Sequence, residues 1–224
     1  MIIASNFKMN HTRKSTADFL SKLDKKVDTK HTIRVYPPYS ALCENELVGI
    51  QNGYPAIKGS FTGEIGLEQI KEFNIDKILL GHSERRSFGE SQELISQKFE
   101  FYKNENFEIM YCIGESLEVR QKGLEAVIEY LKSQFVGIDL NYDKLIIAYE
   151  PVWAIGTGVS ASIEQIKETH QALREITSKP LLYGGSVKLE NIAEICNISN
   201  VDGCLIGTAS WDVENFIKMI QEVK

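Results

Sequence analysis

Eight short apolar runs, separated by segments of helical periodicity, constrain this chain more than any other feature. They are Ile2-Ile3-Ala4, Ile33 to Tyr36, Leu47 to Ile50, Lys77 to Leu80, Ile109 to Cys112, Leu145 to Tyr149, Leu181 to Tyr183 and Gly203 to Ile206. They are compact and mostly unalternating, as expected of parallel strands buried on both faces. Between them, Ile163, Ile166, Leu173 and Ile176 fall near one helical face, and Ser160 to Glu164 resembles a helix start. Leu124 to Phe135 reads similarly, and Trp211 to Lys224 reads as a final helix. A β–α unit repeated eight times predicts an α/β chain closed into a (β/α)8 barrel; an open doubly wound sheet is the alternative. The 224 residues suffice for such a barrel, and no linker or low-complexity tract divides them, so residues 1–224 read as a single domain. The stretch between Tyr36 and Leu47 is too short for a full helix, so an abbreviated outer helix is expected there.

Composition narrows the partners. Charged residues make up 25% of the chain and the formal net charge is −6, which gives no reason to expect nucleic acid or an anionic membrane. A small anionic substrate would have to be met by local donors. The four cysteines, Cys43, Cys112, Cys196 and Cys204, form no CxxC pair and read as reduced thiols of a cytoplasmic protein. The apolar start Met1 to Ala4 is too short for a signal peptide, and no later run is long enough to span a membrane.

In a parallel barrel the loops after the strands build the site. After the first run come Asn6, Lys8 and Asn10; after the fourth, Gly81-His82-Ser83-Glu84. After the sixth comes Glu150-Pro151, with Gly156 and Gly158 further on; after the seventh, Gly184-Gly185-Ser186; after the eighth, Gly207-Thr208. Proline after Glu150 pushes that residue into an extended conformation at the strand's carboxyl end. Gly156 and Gly158 can absorb the rotation of a closing lid. The plain alternative is a surface carboxylate before an ordinary turn. Of the four histidines, His31 and His170 sit in polar contexts and read as solvated, and His11 reads as exposed or near an interface. His82 ends a strand, with Ser83 as a candidate helix cap. The positive helix end would keep its imidazole neutral. Its alternative is a structural histidine without chemistry. Lys8 is the lone cation in its strand-end loop beside Asn6 and Asn10, with Glu84 as a possible partner, and is otherwise a solvated lysine. The glycine loops at Gly185-Ser186 and Gly207-Thr208 suit an anion held by backbone N–H groups, or are simply tight turns. No metal or dinucleotide motif is present.

A carboxylate, a neutral donor, a cation, a phosphate cradle and a lid together fit proton abstraction beside the carbonyl of a small phosphorylated substrate. An epimerase-type barrel would want a second acid–base group and often a metal. A non-catalytic barrel would need none of Glu150, His82 or Lys8.

The quoted loops carry a resemblance. Asn6 to Asn10, the GHSERR of Gly81 to Arg86, the CIGE of Cys112 to Glu115, the AYEPVWAIGTG of Ala148 to Gly158 and the YGGSV of Tyr183 to Val187 are, in that order, similar to the signatures of the triosephosphate isomerase family. The resemblance implies a TIM barrel that interconverts dihydroxyacetone phosphate and D-glyceraldehyde 3-phosphate without a cofactor or metal. It implies Glu150 as the proton-shuttling base, His82 as the neutral electrophile and Lys8 as the electrostatic stabiliser, with Asn6 on a substrate oxygen. It implies phosphate binding by backbone amides at Gly156, Ser186, Gly207 and Thr208. Cys112 would pack near the glutamate and Leu205 would help keep it dry. It further implies a homodimer through the loop Gln51 to Glu64, with Thr62 reaching the other subunit's site. Two departures stand out. The family's usual Gly-Gly is Gly207-Thr208 here, and the chain is shorter than the roughly 250 residues typical of such barrels.

Overall fold

The computed structural model describes residues 1–27, 30–155 and 160–224. Seven parallel strands are β1 (Ile2–Asn6), β2 (Thr32–Tyr36), β3 (Lys77–Leu80), β4 (Glu108–Ile113), β5 (Leu145–Tyr149), β6 (Leu181–Tyr183) and β7 (Gly203–Ile206), in the order β2-β1-β7-β6-β5-β4-β3. The opening between β2 and β3 is filled by the third apolar run. Val48 pairs with Val35 and Ile50 with Ile78, both in parallel. The barrel therefore closes through an eighth segment that makes two single bridges rather than a continuous strand. Gly49 sits in the middle of this segment and donates to Val35 O at 2.9 Å. A Cβ there would lie 2.5 Å from the Tyr36 ring, which fills the barrel beside it, and glycine makes a weak strand interior.

The helices are α1 (Arg13–Lys26), α2 (Leu67–Lys71), α3 (Ser83–Ser87), α4 (Gln92–Asn104), α5 (Leu117–Arg120), α6 (Leu124–Ser133), α7 (Ile163–Arg174), α8 (Ile192–Cys196) and α9 (Val213–Glu222). Alternate strand residues face opposite ways. Ala4, Tyr36, Met110, Ala148, Leu182 and Leu205 fill the barrel. Ile3, Val35, Ile78 and Ile147 join Phe19, Phe99, Leu173 and Phe216 in the layer outside it. Both faces are buried, which is why the strands read as unbroken apolar runs. Across the weak third position, Arg34 holds Glu108 with two 2.7 Å bonds and ties β2 to β4.

The abbreviated outer element is a single 3-10 turn, Tyr39–Ala41. Helix α7 begins as its sequence suggests: Ser162 and Gln165 exchange side-chain and backbone bonds in a capping box. Two histidines depart from expectation. His170 is fully buried on the inner side of α7, where Nδ1 bonds Asn200 O at 3.0 Å. Burial lowers its pKa to about 4, so it packs as a neutral ring. His31 is half-buried and bonds the Val223 carbonyl at 2.9 Å. His11 stacks on Phe7 at 4.1 Å between ring centroids. All four cysteines are free, and Cys112, Cys196 and Cys204 are buried. Among the described residues, no helix is long and apolar enough to cross a membrane.

Candidate active site

The carboxyl ends of the strands converge on a cavity of about 350 Å³, a size suited to a small molecule. Its wall includes Asn6, Lys8, His82, Glu150, Ser186, Gly207 and Thr208. Every expected site residue is therefore brought together except Gly156, which, with the hinge position Gly158, lies outside the described residues.

Lys8 follows β1 with φ 51°, a left-handed conformation that is costly for a side-chain-bearing residue. Its neighbours hold it there. Asn6 Oδ1 accepts from the Lys8 backbone N–H at 2.9 Å, and Gln51 Nε2 donates to the carbonyls of both Lys8 and Tyr36 at 2.8 Å. Trp211 Nε1 donates to Asn6 O at 3.0 Å. The Lys8 ammonium reaches Glu84 at 2.8 Å. That pair is part-exposed, so it orients the lysine more than it stabilises the fold.

His82, not Ser83, caps α3. Its Nδ1 accepts the Glu84 backbone N–H at 3.2 Å, a role an imidazole lone pair fills as well as a hydroxyl oxygen. That bond leaves Nδ1 without a proton, so the ring's proton belongs on Nε2, which lies 3.3 Å from Glu150 Oε1. Burial pulls the His82 pKa down and Glu150 pulls it up; the net direction is upward, opposite to the expectation from the helix end alone. The larger part of the upward pull is Glu150's, and Glu84 adds to it.

Glu150 is 3% exposed. Oε2 is buried without a hydrogen bond among the described residues. Two glycines make room for it: a Cβ at Gly114 would lie 1.7 Å from the Glu150 carbonyl oxygen, and one at Gly184 would lie 2.6 Å from Glu150 Cγ. Burial and then the adjacent Glu150 carboxylate push the Cys112 thiol well up, which keeps it protonated. Leu205 lines the same cavity.

Thr208 opens the 3-10 turn Thr208–Ser210 and is not in the left-handed region, so replacing glycine by threonine here strains nothing. Ser210 anchors the turn by donating to Ile206 O at 3.0 Å and Gly207 O at 2.7 Å. Sequence reasoning missed Gln51, Trp211 and Ser210, which position the loops. It also missed Lys188, a second cation on the cavity wall. Among the described residues, no group of three or more His, Cys, Asp or Glu side chains is arranged to hold a metal ion.

Comparison with known proteins agrees with this geometry. The family model for triosephosphate isomerase matches residues 1–223. A triosephosphate isomerase of Nitratiruptor sp. is 57% identical over 231 residues, covering 100% of this chain and 99% of the relative. That of Wolinella succinogenes is 56% identical, with 100% of both chains covered. That of Campylobacter jejuni is 48% identical, with 99% of this chain and 100% of the relative covered. The chain belongs to the triosephosphate isomerase family.

Proposed function

We propose that Glu150, His82 and Lys8 carry out the family's interconversion of dihydroxyacetone phosphate and D-glyceraldehyde 3-phosphate, a step of glycolysis and gluconeogenesis. The Glu150 carboxylate takes the proton from C1 of dihydroxyacetone phosphate. The C–H electron pair forms the C1–C2 double bond, and the carbonyl pair moves onto oxygen as an enediolate. His82 Nε2–H and the Lys8 ammonium stabilise that oxygen, with Asn6 beside it. The hydroxyl proton on O1 passes to O2 by way of His82 Nε2, the O1 pair forms the new C1 carbonyl, and the double-bond pair takes the proton back from Glu150 at C2. The His82 Nδ1 lone pair accepts the Glu84 backbone N–H, so the ring meets the enediolate as a neutral imidazole that donates from Nε2. Backbone amides at Ser186, Gly207 and Thr208, together with Gly156, bind the phosphate. The observation that carries the reading is the buried Glu150 carboxylate 3.3 Å from His82 in a cavity shared with Lys8 and both glycine loops.

The test is a coupled assay of glyceraldehyde 3-phosphate isomerisation with divalent ions chelated. Undiminished turnover is expected. Strict dependence on a divalent ion would point to an epimerase-type site instead.

The loop Gln51 to Glu64 is read as a dimer arm. Met9 is 93% exposed and Phe88 79%, and both line a second cavity of about 230 Å³ that also includes Lys8, His82 and Glu84. Two large apolar side chains left in water beside the site suit a covering partner. Ile57 and Phe61 on the arm are likewise exposed. A second copy's arm, with Thr62 at its tip, is the proposed cover. Sedimentation at micromolar concentration should read a species of twice the 25.3 kDa chain mass. A monomer with full activity would overturn this. The free thiols suit a reducing compartment, and the enzyme is assigned to the cytoplasm.

A further inference from the structure

The proposed base and the imidazole stand on different strands, and among the described residues the sheet holds Glu150 through its N–H alone, which donates to Ile113 O at 2.7 Å. The β4–β5 register ends at the pair Ile113–Tyr149, so Gly114 and Glu150 lie just past the last paired residues. Gly114 nevertheless supports the glutamate. Its Cα lies against the Glu150 carbonyl so closely that no side chain fits between them.

One side chain holds the Gly114 peptide groups. The Gly114 N–H donates to Gln134 Oε1 at 2.8 Å, and Gln134 Nε2 donates back to Gly114 O at 3.1 Å. A primary amide placed this way offers the donor and acceptor that a neighbouring strand would supply. Gln134 is itself buried and sits at the end of α6. Its own carbonyl accepts from the Tyr111 hydroxyl and, at 2.8 Å, from Gln92 Nε2. Arg86 donates to Gln92 Oε1 at 2.9 Å and to Gly81 O at 2.8 Å. A part-buried hydrogen-bonded path therefore joins the residue before His82 to the residue packed beneath Glu150.

We propose that Gln134 is a positioning residue for the isomerisation, which sets the Glu150 carboxylate relative to His82 through the Gly114 peptide. It touches no substrate and lies outside the cavity wall. Removing its amide would leave a buried N–H and C=O of Gly114 unpaired, and the peptide would shift to recover partners. A shift of about 1 Å at a reacting group costs roughly a hundredfold in rate when fully transmitted, so a partial shift costs about tenfold. The inference rests on Glu150 being the base.

The experiment compares Gln134→Leu and Gln134→Glu in the full chain, each with Glu150 present and with Glu150→Asp. Rates are taken per folded protein. Gln134→Leu should lower kcat about tenfold with KM within about twofold. Binding of 2-phosphoglycolate should weaken in step with kcat, while inhibition by inorganic phosphate stays unchanged. With Glu150→Asp, where the carboxylate is already misplaced by a methylene, the same substitution should cost much less. Gln134→Glu as a neutral acid can both donate to and accept from Gly114, whereas its carboxylate loses the donor. Its kcat should approach wild type in acid and fall as the group ionises, an ionisation absent from the wild-type profile. The inference is overturned if either substitution lowers only thermal stability, or if Gln134→Leu costs the same with Glu150→Asp as without it. If Gln134→Leu does not fold, the Gln134→Glu pH profile decides alone. Retained activity in Glu150→Gln would instead overturn the assignment of the base.

Discussion

Glu150→Gln is expected to lower kcat by roughly a hundredfold or more while leaving phosphate binding largely intact. The amide has nearly the carboxylate's shape, so the pocket between Gly114 and Gly184 should accept it. It cannot take up the proton that the carboxylate removes from carbon. The residues proposed to bind phosphate, Ser186, Gly207 and Thr208, follow other strands than Glu150. The loss should therefore appear in kcat, with inhibition by inorganic phosphate close to wild type. A rate near wild type in the coupled assay would show that another group carries the proton, and the assignment of Glu150 would have to be withdrawn.

Gly184→Ala tests position rather than chemistry, and its effect should be of similar size. The added methyl would stand 2.6 Å from Glu150 Cγ, well inside contact distance. Gly184 lies outside the left-handed region, so alanine's backbone preferences are satisfied. The strain must be relieved by moving either the strand end or the glutamate. The strand end is held by the bond from Gly184 N–H to Tyr149 O at 2.8 Å, so the softer element is the Glu150 side chain. Displacement by about 1 Å from a near-attack geometry is expected to cost roughly a hundredfold in kcat. The loss should come with only a modest change in thermal stability. Unchanged turnover would mean that the carboxylate has slack at this wall and that the glycine serves the backbone alone.

The parts of the barrel that could be read from the sequence are those whose signal is local. Ile146 and Ile147 are both buried, one inside the barrel and one outside, so an unbroken apolar run is the direct imprint of a two-faced environment. Ser162 and Gln165 lie three residues apart, and their capping box is a property of that spacing. The third strand was legible as an apolar run. Its pairing by two single bridges was not, and neither was the Tyr36 ring, arriving from another strand, that leaves no room for a side chain at Gly49. His170 was misread from its polar neighbours. Its place three and four residues from Leu173 and Ile166 was the signal that it faces inward with them.

The candidate site divides in the same way. Strand ends followed by glycine loops located Glu150, His82, Lys8, Ser186, Gly207 and Thr208 from the chain alone. Gln51, Trp211 and Gln134 were illegible, since a glutamine or tryptophan in a polar stretch looks the same whether it is solvated or bonded to a carbonyl distant in sequence. The sequence by itself determined the β–α repeat, the strands' burial on both faces and the chemical groups presented after each strand, because those follow from periodicity and residue type. Only the tertiary structure decided that His82 caps its helix through Nδ1 and turns Nε2 toward Glu150. It alone decided that Lys8 is held at positive φ by Gln51, and that Gln134 grips the peptide beneath the glutamate. Apart from the local His82 cap on Glu84, those are contacts between residues tens of positions apart, and their geometry exists only once the barrel has closed.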